Sequence, residues 1–351
     1  MKSGYITRLL YALLVIWLAS CDSAIYDDEG DCTARYRVPL TFTRNILNAD
    51  AFASQVTGQV RLYAFDSSGR LAFSRTEDAS KLRDNEGHYA MEVDLDPGTY
   101  RILVWATGTS PVADPVAFRI GDGTAAASIE ALGATLPLLE DAGTAYQDHD
   151  ITPQFYGMAE NVVCRADDYG EIDLPTVDLM QDTKVIKVVL INMDGTEIAG
   201  DDFAVSVTSA NSTMDYLNNP TGDLTVAYRP WATTLFEGDS EEARSVPAAG
   251  NRSSVFGGMM TEHTTGRIMT DRRTRLKVVR NDDSKAIIDI NLTQFLTMVK
   301  GNYQGHFSDQ EYLDRMDEFT LIFYIYGRTW YTAMGVFING WKIVPPQEEG
   351  V

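Results

Sequence analysis

The sequence predicts a mainly β fold, with two β-sandwich domains and a few short helices. Apolar residues occupy every second position from Tyr36 to Phe42 and again from Tyr89 to Leu95, a period of two that is typical of half-buried strands. Turn residues such as Asp96-Pro97-Gly98 separate these runs, because proline presets one backbone dihedral and glycine accepts a positive one. Short strands joined by regular turns favour a sandwich. The 351 residues exceed the usual size of one core, so two domains are expected.

The first half of the chain is predicted to be a series of strands and hairpins. Its opening strand contains Pro39, which cannot donate a hydrogen bond to a ladder, so we expect this strand at a sheet edge or at a bulge. A hairpin is predicted over 60–74, with its turn at Asp66-Ser67-Ser68-Gly69. The body divides near residue 180, into an N-terminal sandwich domain over 35–180 and a C-terminal one over 181–351.

The second half opens with an apolar strand from Lys184 to Met193, and alternating segments follow at 203–207, 276–279 and 286–292. The polar stretch 211–252 is either a long loop region or a set of weak edge strands.

Two short helices and two closing strands complete the chain. The first helix covers 293–300, and the second begins at Ser308-Asp309-Gln310-Glu311, which has the form of a capping box. Strands are predicted over 319–326 and 332–344.

The N-terminus has the features of a bacterial lipoprotein signal peptide. Lys2 and Arg8 precede an apolar run over 9–18, and small residues lead to Ser20 and Cys21. We expect residues 1–20 to be removed by cleavage between Ser20 and Cys21, after which Cys21 is lipidated. Its acyl chains would hold the protein at a membrane, since each buried methylene contributes about 0.8 kcal/mol. The alternative, a transmembrane helix, needs about 20 apolar residues, and this run is shorter.

The net charge of −21 becomes −23 when Lys2 and Arg8 are lost with the signal peptide. Such a surface repels nucleic acid and anionic lipid head groups, so neither is an expected partner. Residues 21–34 form an acidic tether that keeps the body clear of the membrane. The acidic cluster within it also resembles the surface-export signal of lipoproteins from gut and oral anaerobes, which would make the protein surface-exposed.

Two cysteines remain once Cys21 is acylated. Cys32 and Cys164 either form a disulfide, which the oxidising compartment allows, or stay as unpaired thiols, because a core of this size needs no covalent link.

The motifs give no sign of catalysis. The chain carries no G-x-S-x-G, H-E-x-x-H or P-loop, and its four histidines are scattered. We therefore predict no enzymatic activity, no cofactor and no metal site. The carboxylates over 167–173 suit a calcium ion chemically but lack the calcium-loop spacing, which favours a solvated linker. The basic segment from Arg267 to Arg280 either pairs with acidic neighbours or meets an acidic partner subunit.

Four segments in order resemble the fimbrial anchor family among the fimbrillin-like proteins. They are Ser20–Cys32, the Asp96-Pro97-Gly98-Thr99-Tyr100 turn with Val104-Trp105, the Ser308–Arg315 segment, and Ile338–Val344. The resemblance implies two transthyretin-like β-sandwich domains. It also implies a lipoprotein that anchors type V fimbriae to the outer membrane, with fimbrial pilin subunits as partners, and that limits fibre length.

Two other functions stay open at this point. Related shaft pilins are also lipoproteins but lose an N-terminal segment to a trypsin-like protease, so a shaft or tip fimbrillin would be cut after Arg35, Arg37 or Arg44. A carbohydrate-binding surface lipoprotein would instead need exposed aromatic residues arranged as a flat platform.

Overall fold

The computed structural model describes residues 34–121, 128–236, 257–303 and 306–344, and these ranges are mainly β. The strands of the first half are β1 (Arg35–Thr41), β2 (Gln59–Asp66), β3 (Leu71–Asp78), β4 (Ala90–Val93), β5 (Gly98–Thr107), β6 (Arg119–Ile120), β7 (Ala134–Thr135), β8 (Leu139–Asp141), β9 (Thr144–Gln147), β10 (Gln154–Cys164), β11 (Glu171–Asp173), β12 (Val177–Asp178) and β13 (Met180–Gln181). Those of the second half are β14 (Lys184–Asn192), β15 (Phe203–Ser209), β16 (Thr213–Met214), β17 (Val226–Tyr228), β18 (Ala232–Phe236), β19 (Gly258–Thr265), β20 (Arg275–Arg280), β21 (Ala286–Asn291), β22 (Glu318–Tyr326), β23 (Thr329–Trp330), β24 (Val336–Ile338) and β25 (Trp341–Ile343). The α-helices are α1 (Phe52–Gln55), α2 (Leu292–Thr297) and α3 (Asp309–Arg315).

The first half packs two sheets face to face. In one, β1 pairs with β4 on one side and with β11 and β12 on the other; the second has the order β13-β10-β5-β2-β3. The apolar side chains of both sheets meet in a core that includes Val38, Phe42, Leu62, Ile102 and Phe155. Burying a side chain of this size contributes about 1.5–3 kcal/mol, so the alternation seen in the sequence specifies which face of each strand turns inward.

The second half is also a sandwich. Its larger sheet has the order β18-β19-β14-β22-β24-β25, with β23 attached to β22, and its smaller sheet has the order β21-β20-β15-β17-β9-β8. Val188, Val207, Leu276, Leu321 and Phe323 are fully buried between them. Strands β14 and β22 run parallel at the centre of the larger sheet, which explains why both are apolar over most of their length.

The two halves share strands and core. Although β8 and β9 precede residue 180, they extend the smaller sheet of the second sandwich, with Tyr146 of β9 opposite Ala227 of β17. The outer face of the first sandwich, with Tyr63, Leu103 and Trp105, joins the same apolar cluster as the second sandwich. The described parts of the halves are therefore packed into one continuous body, while the boundary at residue 180 stays a prediction.

Of the two alternatives predicted for Pro39, an edge is wrong, because β1 is paired on both sides. The pairing is instead irregular at this residue, since β11 and β12 pair with β1 in registers that differ by one residue. The Leu40 N–H donates to the Tyr89 carbonyl on the β4 side, so the Pro39 nitrogen faces the opposite side. There β11 pairs only with residues 35–37 and β12 only with residues 40–41. Pro39 falls in the gap between these two partners, where no N–H is needed.

The prediction of a single strand over 332–344 is also wrong. A 3-10 turn covers Thr332–Met334, and β24 and β25 then form a hairpin. Asn339 and Gly340 have φ values of 48° and 82°, as a two-residue hairpin turn requires, and Asn-Gly is the preferred pair for that turn.

Both predicted helices are present, each with a side-chain cap. The Asn291 side chain accepts from the N–H of Gln294 at the start of α2, and the Ser308 side chain accepts from the N–H of Glu311 at the start of α3. Helix α2 ends earlier than predicted, and a 3-10 turn over Lys300–Asn302 follows. In the described ranges, no helix has the length and apolar character needed to cross a membrane.

Candidate functional site

Strand β1 is held by hydrogen bonds and ion pairs as well as by its core side chains. We call β1 with its neighbours β4, β11 and β12 the first-strand site. Tyr36, Val38 and Leu40 are at most 3% exposed. On the opposite face, the Arg37 guanidinium lies 3.0 Å from Asp173 and 3.5 Å from Glu171, both in β11. Removing β1 would therefore open a sheet on both sides and uncover the core of the first sandwich.

The three predicted trypsin-type positions all lie in or just after β1. The Arg35 N–H donates to the Gly170 carbonyl at 2.7 Å, and Arg37 is in the middle of the paired segment. Arg44 follows the strand in a stretch held by Asp178. This carboxylate accepts from the Thr41 hydroxyl, the Thr43 N–H and the Thr43 hydroxyl at 2.6–3.0 Å. A protease needs an extended, unpaired backbone, and the sheet pairing of Arg35 and Arg37 does not offer one.

The acidic stretch over 167–173 bonds to side chains of the first-strand site. Asp168 accepts from the Tyr36 hydroxyl and from the Arg165 N–H, each at 2.8 Å, while Glu171 and Asp173 pair with Arg37. These hydrogen bonds lower the pKa of Asp168. Three of the four carboxylates considered for calcium are thus bonded to side chains of β1.

The predicted lipidation, cleavage and disulfide sites lie outside the described residues, apart from Cys164. This holds for Ser20, Cys21 and Cys32, so those three predictions stay predictions. Cys164 is buried at the end of β10 and has no disulfide partner within the described ranges. Burial raises the pKa of its thiol to about 11, which makes it a poor nucleophile at neutral pH.

The basic segment pairs within the protein. Arg267 bonds to Asp314, Arg275 to Asp289 and Arg280 to Asp283, and Arg272 donates to the carbonyl of Gly222 at 2.7 Å. Of the two alternatives left open by the sequence, pairing with acidic neighbours is the one that the structure shows for Arg267, Arg275 and Arg280, whereas Arg272 bonds to backbone carbonyls.

A buried group of charges lies beside β13 of the first sandwich, and the sequence did not reveal it. We call Asp182, Lys184, Arg267, Asp314 and Asp317 the junction cluster. Arg267 donates two hydrogen bonds of 2.8 Å to Asp314, and the Lys184 ammonium or amine donates to the carbonyl of Asp314 at 2.8 Å. Lys184 and Asp182 are fully buried. From the sequence alone, a lysine at the start of an apolar strand is expected to be exposed to solvent. The burial of Lys184 becomes visible only when β14 is seen to pair in parallel with β22.

Asp182 is the most strongly desolvated carboxylate of this cluster. Asn218 donates to its Oδ1 at 2.6 Å, whereas its Oδ2 is buried without a hydrogen-bond partner among the described residues. Burial raises the pKa of Asp182 to about 6, although the charge of Arg267 opposes this effect. Asp182 therefore titrates close to physiological pH.

Helix α3 connects the junction cluster to the first sandwich. Its Arg315 donates to the side chain of Asn48 at 2.8 Å and to the carbonyl of Asn45 at 3.2 Å. Glu311, one turn earlier, holds the Arg315 guanidinium at 3.0 Å. The neighbouring Asp314 faces Arg267 on the other side. The segment 308–315, which carries the capping motif and part of the family resemblance, therefore contacts both halves of the protein.

The closing hairpin leaves an open sheet edge. β25 is the last strand of the larger sheet, and in the described ranges no strand pairs with its outer side. Trp341 and Val344 are 45% and 70% exposed there. An exposed edge with apolar side chains can accept a strand from another chain.

Comparison with solved structures shows the same fold in several proteins. A candidate adhesin from Bacteroides thetaiotaomicron VPI-5482 matches with a TM-score of 0.71 and 24% identity, over 90% of this chain and 99% of that one. A candidate polysaccharide-binding protein from the same organism has a TM-score of 0.70 and 24% identity, covering 91% and 100%. The fimbrial anchor protein Mfa2 from Porphyromonas gingivalis has a TM-score of 0.60 and 14% identity, covering 89% and 99%.

Family membership comes from the sequence match. Comparison with curated protein sequences finds no match. The family model of the fimbrillin-A associated anchor proteins Mfa1 and Mfa2, however, matches residues 28–345, nearly the whole chain. This range includes the first-strand site, the junction cluster and the closing hairpin. The chain therefore belongs to the family of fimbrillin-A associated anchor proteins Mfa1 and Mfa2, and it is a fimbria-associated protein.

Proposed function

We propose that this protein is a fimbrial anchor subunit, a lipoprotein that tethers the base of a type V fimbria to the outer membrane through the acyl chains on Cys21. The observation that carries the proposal is the incorporation of β1 into its sheet. An anchor must keep the covalent connection between its lipid and its body. The pairing of β1 on both sides keeps the chain before Arg35 attached to the folded protein.

The protection of the trypsin-type positions favours an anchor over a shaft or tip fimbrillin. Cleavage after Arg37 would divide β1 and leave Val38 and Leu40, both essentially fully buried, without the rest of their strand. The part cut off would include Tyr36, which is 3% exposed in the core of the first sandwich. An anchor does not need to lose this strand.

The pilin joint is proposed at the outer edge of β25. Backbone N–H and C=O groups at such an edge give affinity, and neighbouring side chains such as Trp341 give specificity. Pro345 and Pro346, which lie outside the described residues, lack backbone donors and limit further extension of the strand. A subunit with one such joint also terminates the fibre at its base, which would limit fibre length.

The aromatic residues give little support to a carbohydrate-binding function. Tyr326 and Tyr331 are exposed neighbours, with ring centroids 6.3 Å apart, but their planes are tilted by 48°. A flat platform for sugar rings needs nearly coplanar faces.

Intact mass and N-terminal analysis of the protein from fimbriated outer membranes test the proposal. The expected species begins at Cys21, carries acyl chains and retains residues 21–44. A dominant species that begins after Arg35, Arg37 or Arg44 would identify a shaft or tip subunit instead.

A further inference from the structure

Lys184 begins β14, and Asp317 immediately precedes β22, the parallel neighbour of β14 at the centre of the larger sheet. The ladder pairs Val185 with Glu318, and the Val185 N–H donates to the Asp317 carbonyl at 2.9 Å. Lys184 and Asp317 each come one residue earlier, so the same register places them opposite one another. The distance from Lys184 Nζ to Asp317 Oδ1 is 3.9 Å, too long for a hydrogen bond.

The hydrogen bonds around Lys184 suit a neutral amine. Its side chain is fully buried, and Nζ donates to the carbonyls of Gln181 and Asp314, each at 2.8 Å. A neutral amine has two N–H groups, and these two carbonyls use both of them. A neutral amine would keep its lone pair free, and Asp317 supplies the carboxylate oxygen that lies 3.9 Å from Nζ.

Asp317 presents one enclosed oxygen and one edge that reaches solvent. Its Oδ1 is buried and has no hydrogen-bond partner among the described residues, whereas the side chain as a whole is 36% exposed. A buried carboxylate oxygen without a donor is costly. Burial raises the pKa of Asp317 and lowers the pKa of Lys184, although the nearby carboxylates oppose the change at Lys184. Both shifts favour the uncharged acid and amine.

We propose that Lys184 and Asp317 condense into an intramolecular isopeptide bond. The Nζ lone pair attacks Cγ of the protonated Asp317 carboxyl group, and a C–N bond forms. The C–O bond to the carboxyl hydroxyl then breaks, and that hydroxyl leaves as water with one proton from the amine. No oxidant, metal or second reactant is consumed, and the water has a path out along the exposed edge of Asp317.

The bond would fasten the larger sheet at the junction between the two halves. Its two strands are far apart in sequence, so the crosslink would close a long loop and restrict the unfolded chain. It would also resist separation of β14 from β22 when the fibre is pulled.

Intact mass measured on the full chain under denaturing conditions tests the proposal. We expect the folded, purified protein to be lighter than its sequence by one water molecule. Trypsin should fail to cut after Lys184 and should release a branched peptide that joins Lys184 to Asp317. Asp317→Ala should restore the full mass and the cut after Lys184. Asp317→Asn should reach the same final mass as the crosslinked wild type, because it loses ammonia instead of water.

A second lysine on the same strands is the matched control. Lys187 Nζ lies 2.8 Å from Glu318, but these side chains are 26% and 50% exposed, so water competes for both of them. Lys187→Gln should therefore leave the loss of one water unchanged. Wild-type protein at full mass, with Lys184 cut by trypsin, would overturn the proposal and leave a buried ion pair. A loss of water that persists in Asp317→Ala would also overturn it, because the bond would then lie elsewhere.

Discussion

Arg267 and Asp314 form a buried, two-bond ion pair between a loop of the second sandwich and helix α3. Their nitrogen–oxygen distances are both 2.8 Å, and the two side chains are only 10% and 8% exposed. Burial alone would raise the pKa of Asp314, but the hydrogen bonds and charge of Arg267 lower it. Each charge is stable in the interior only because the other is present.

Asp314→Asn should lower the free energy of unfolding by about 3–5 kcal/mol, because it leaves the buried Arg267 without its hydrogen-bonded counterion. Denaturant unfolding measures this change. Asp289→Asn breaks a more exposed pair with Arg275 and should cost at most about 1 kcal/mol. Equal losses of unfolding free energy in the two variants would show that the buried pair stabilises the protein no more than the exposed pair does.

Asp182 should give the junction a pH dependence of a defined sign. Its pKa is about 6 in the folded protein, against 3.8 for the free side chain, so folding favours the protonated form. That contribution is fully present below about pH 4 and is lost as the pH rises through about 6. Relative to Asp182→Asn, the wild type should therefore lose up to about 3 kcal/mol over this window. Denaturant unfolding of both proteins across this pH range measures the effect. A difference in unfolding free energy that does not change with pH would refute the prediction.

Asp178→Ala should expose the end of β1 to protease. The carboxylate accepts three hydrogen bonds from Thr41 and Thr43, all partly buried, and each such bond contributes about 0.5–1.5 kcal/mol. We expect faster trypsin cleavage at Arg44. The cleavage rate is measured by mass spectrometry of the digestion products. Asp283→Ala removes a surface ion pair with Arg280 and serves as the control. Unchanged cleavage at Arg44 in Asp178→Ala would show that other contacts protect this segment.

Local features were predictable, and features that depend on pairing between distant segments were not. The inward face of β1 and the Ser308 cap follow from neighbouring residues, so alternation and the capping motif were sufficient. The position of Pro39 depends on where β11 and β12 end, and the burial of Lys184 depends on its parallel neighbour β22. No periodicity within one segment carries that information. The Asn339-Gly340 turn is different, since the Asn-Gly pair is itself a local hairpin signal.

Cys21→Ala should abolish lipidation, because alanine has no thiol to acylate. If the protein is the anchor, fibres should still assemble but should appear in the medium instead of in the outer-membrane fraction. Cys164→Ala alters a buried thiol and should leave membrane fractionation unchanged. Normal recovery of the Cys21→Ala protein with outer membranes would rule out the anchoring mechanism.

Deletion of residues 347–351 distinguishes the β25 edge from the C-terminal tail as the pilin joint. The tail follows Pro345 and Pro346, which cannot donate to a ladder, so we expect the shortened protein to keep its fibres. Trp341→Ala, at the exposed start of β25, should instead weaken fibre retention, because an aromatic anchor at an interface commonly contributes more than 1 kcal/mol. Both variants are scored by the fraction of fimbrial protein released into the medium. A tail deletion that folds and is lipidated yet sheds its fibres would show that the tail itself forms the joint.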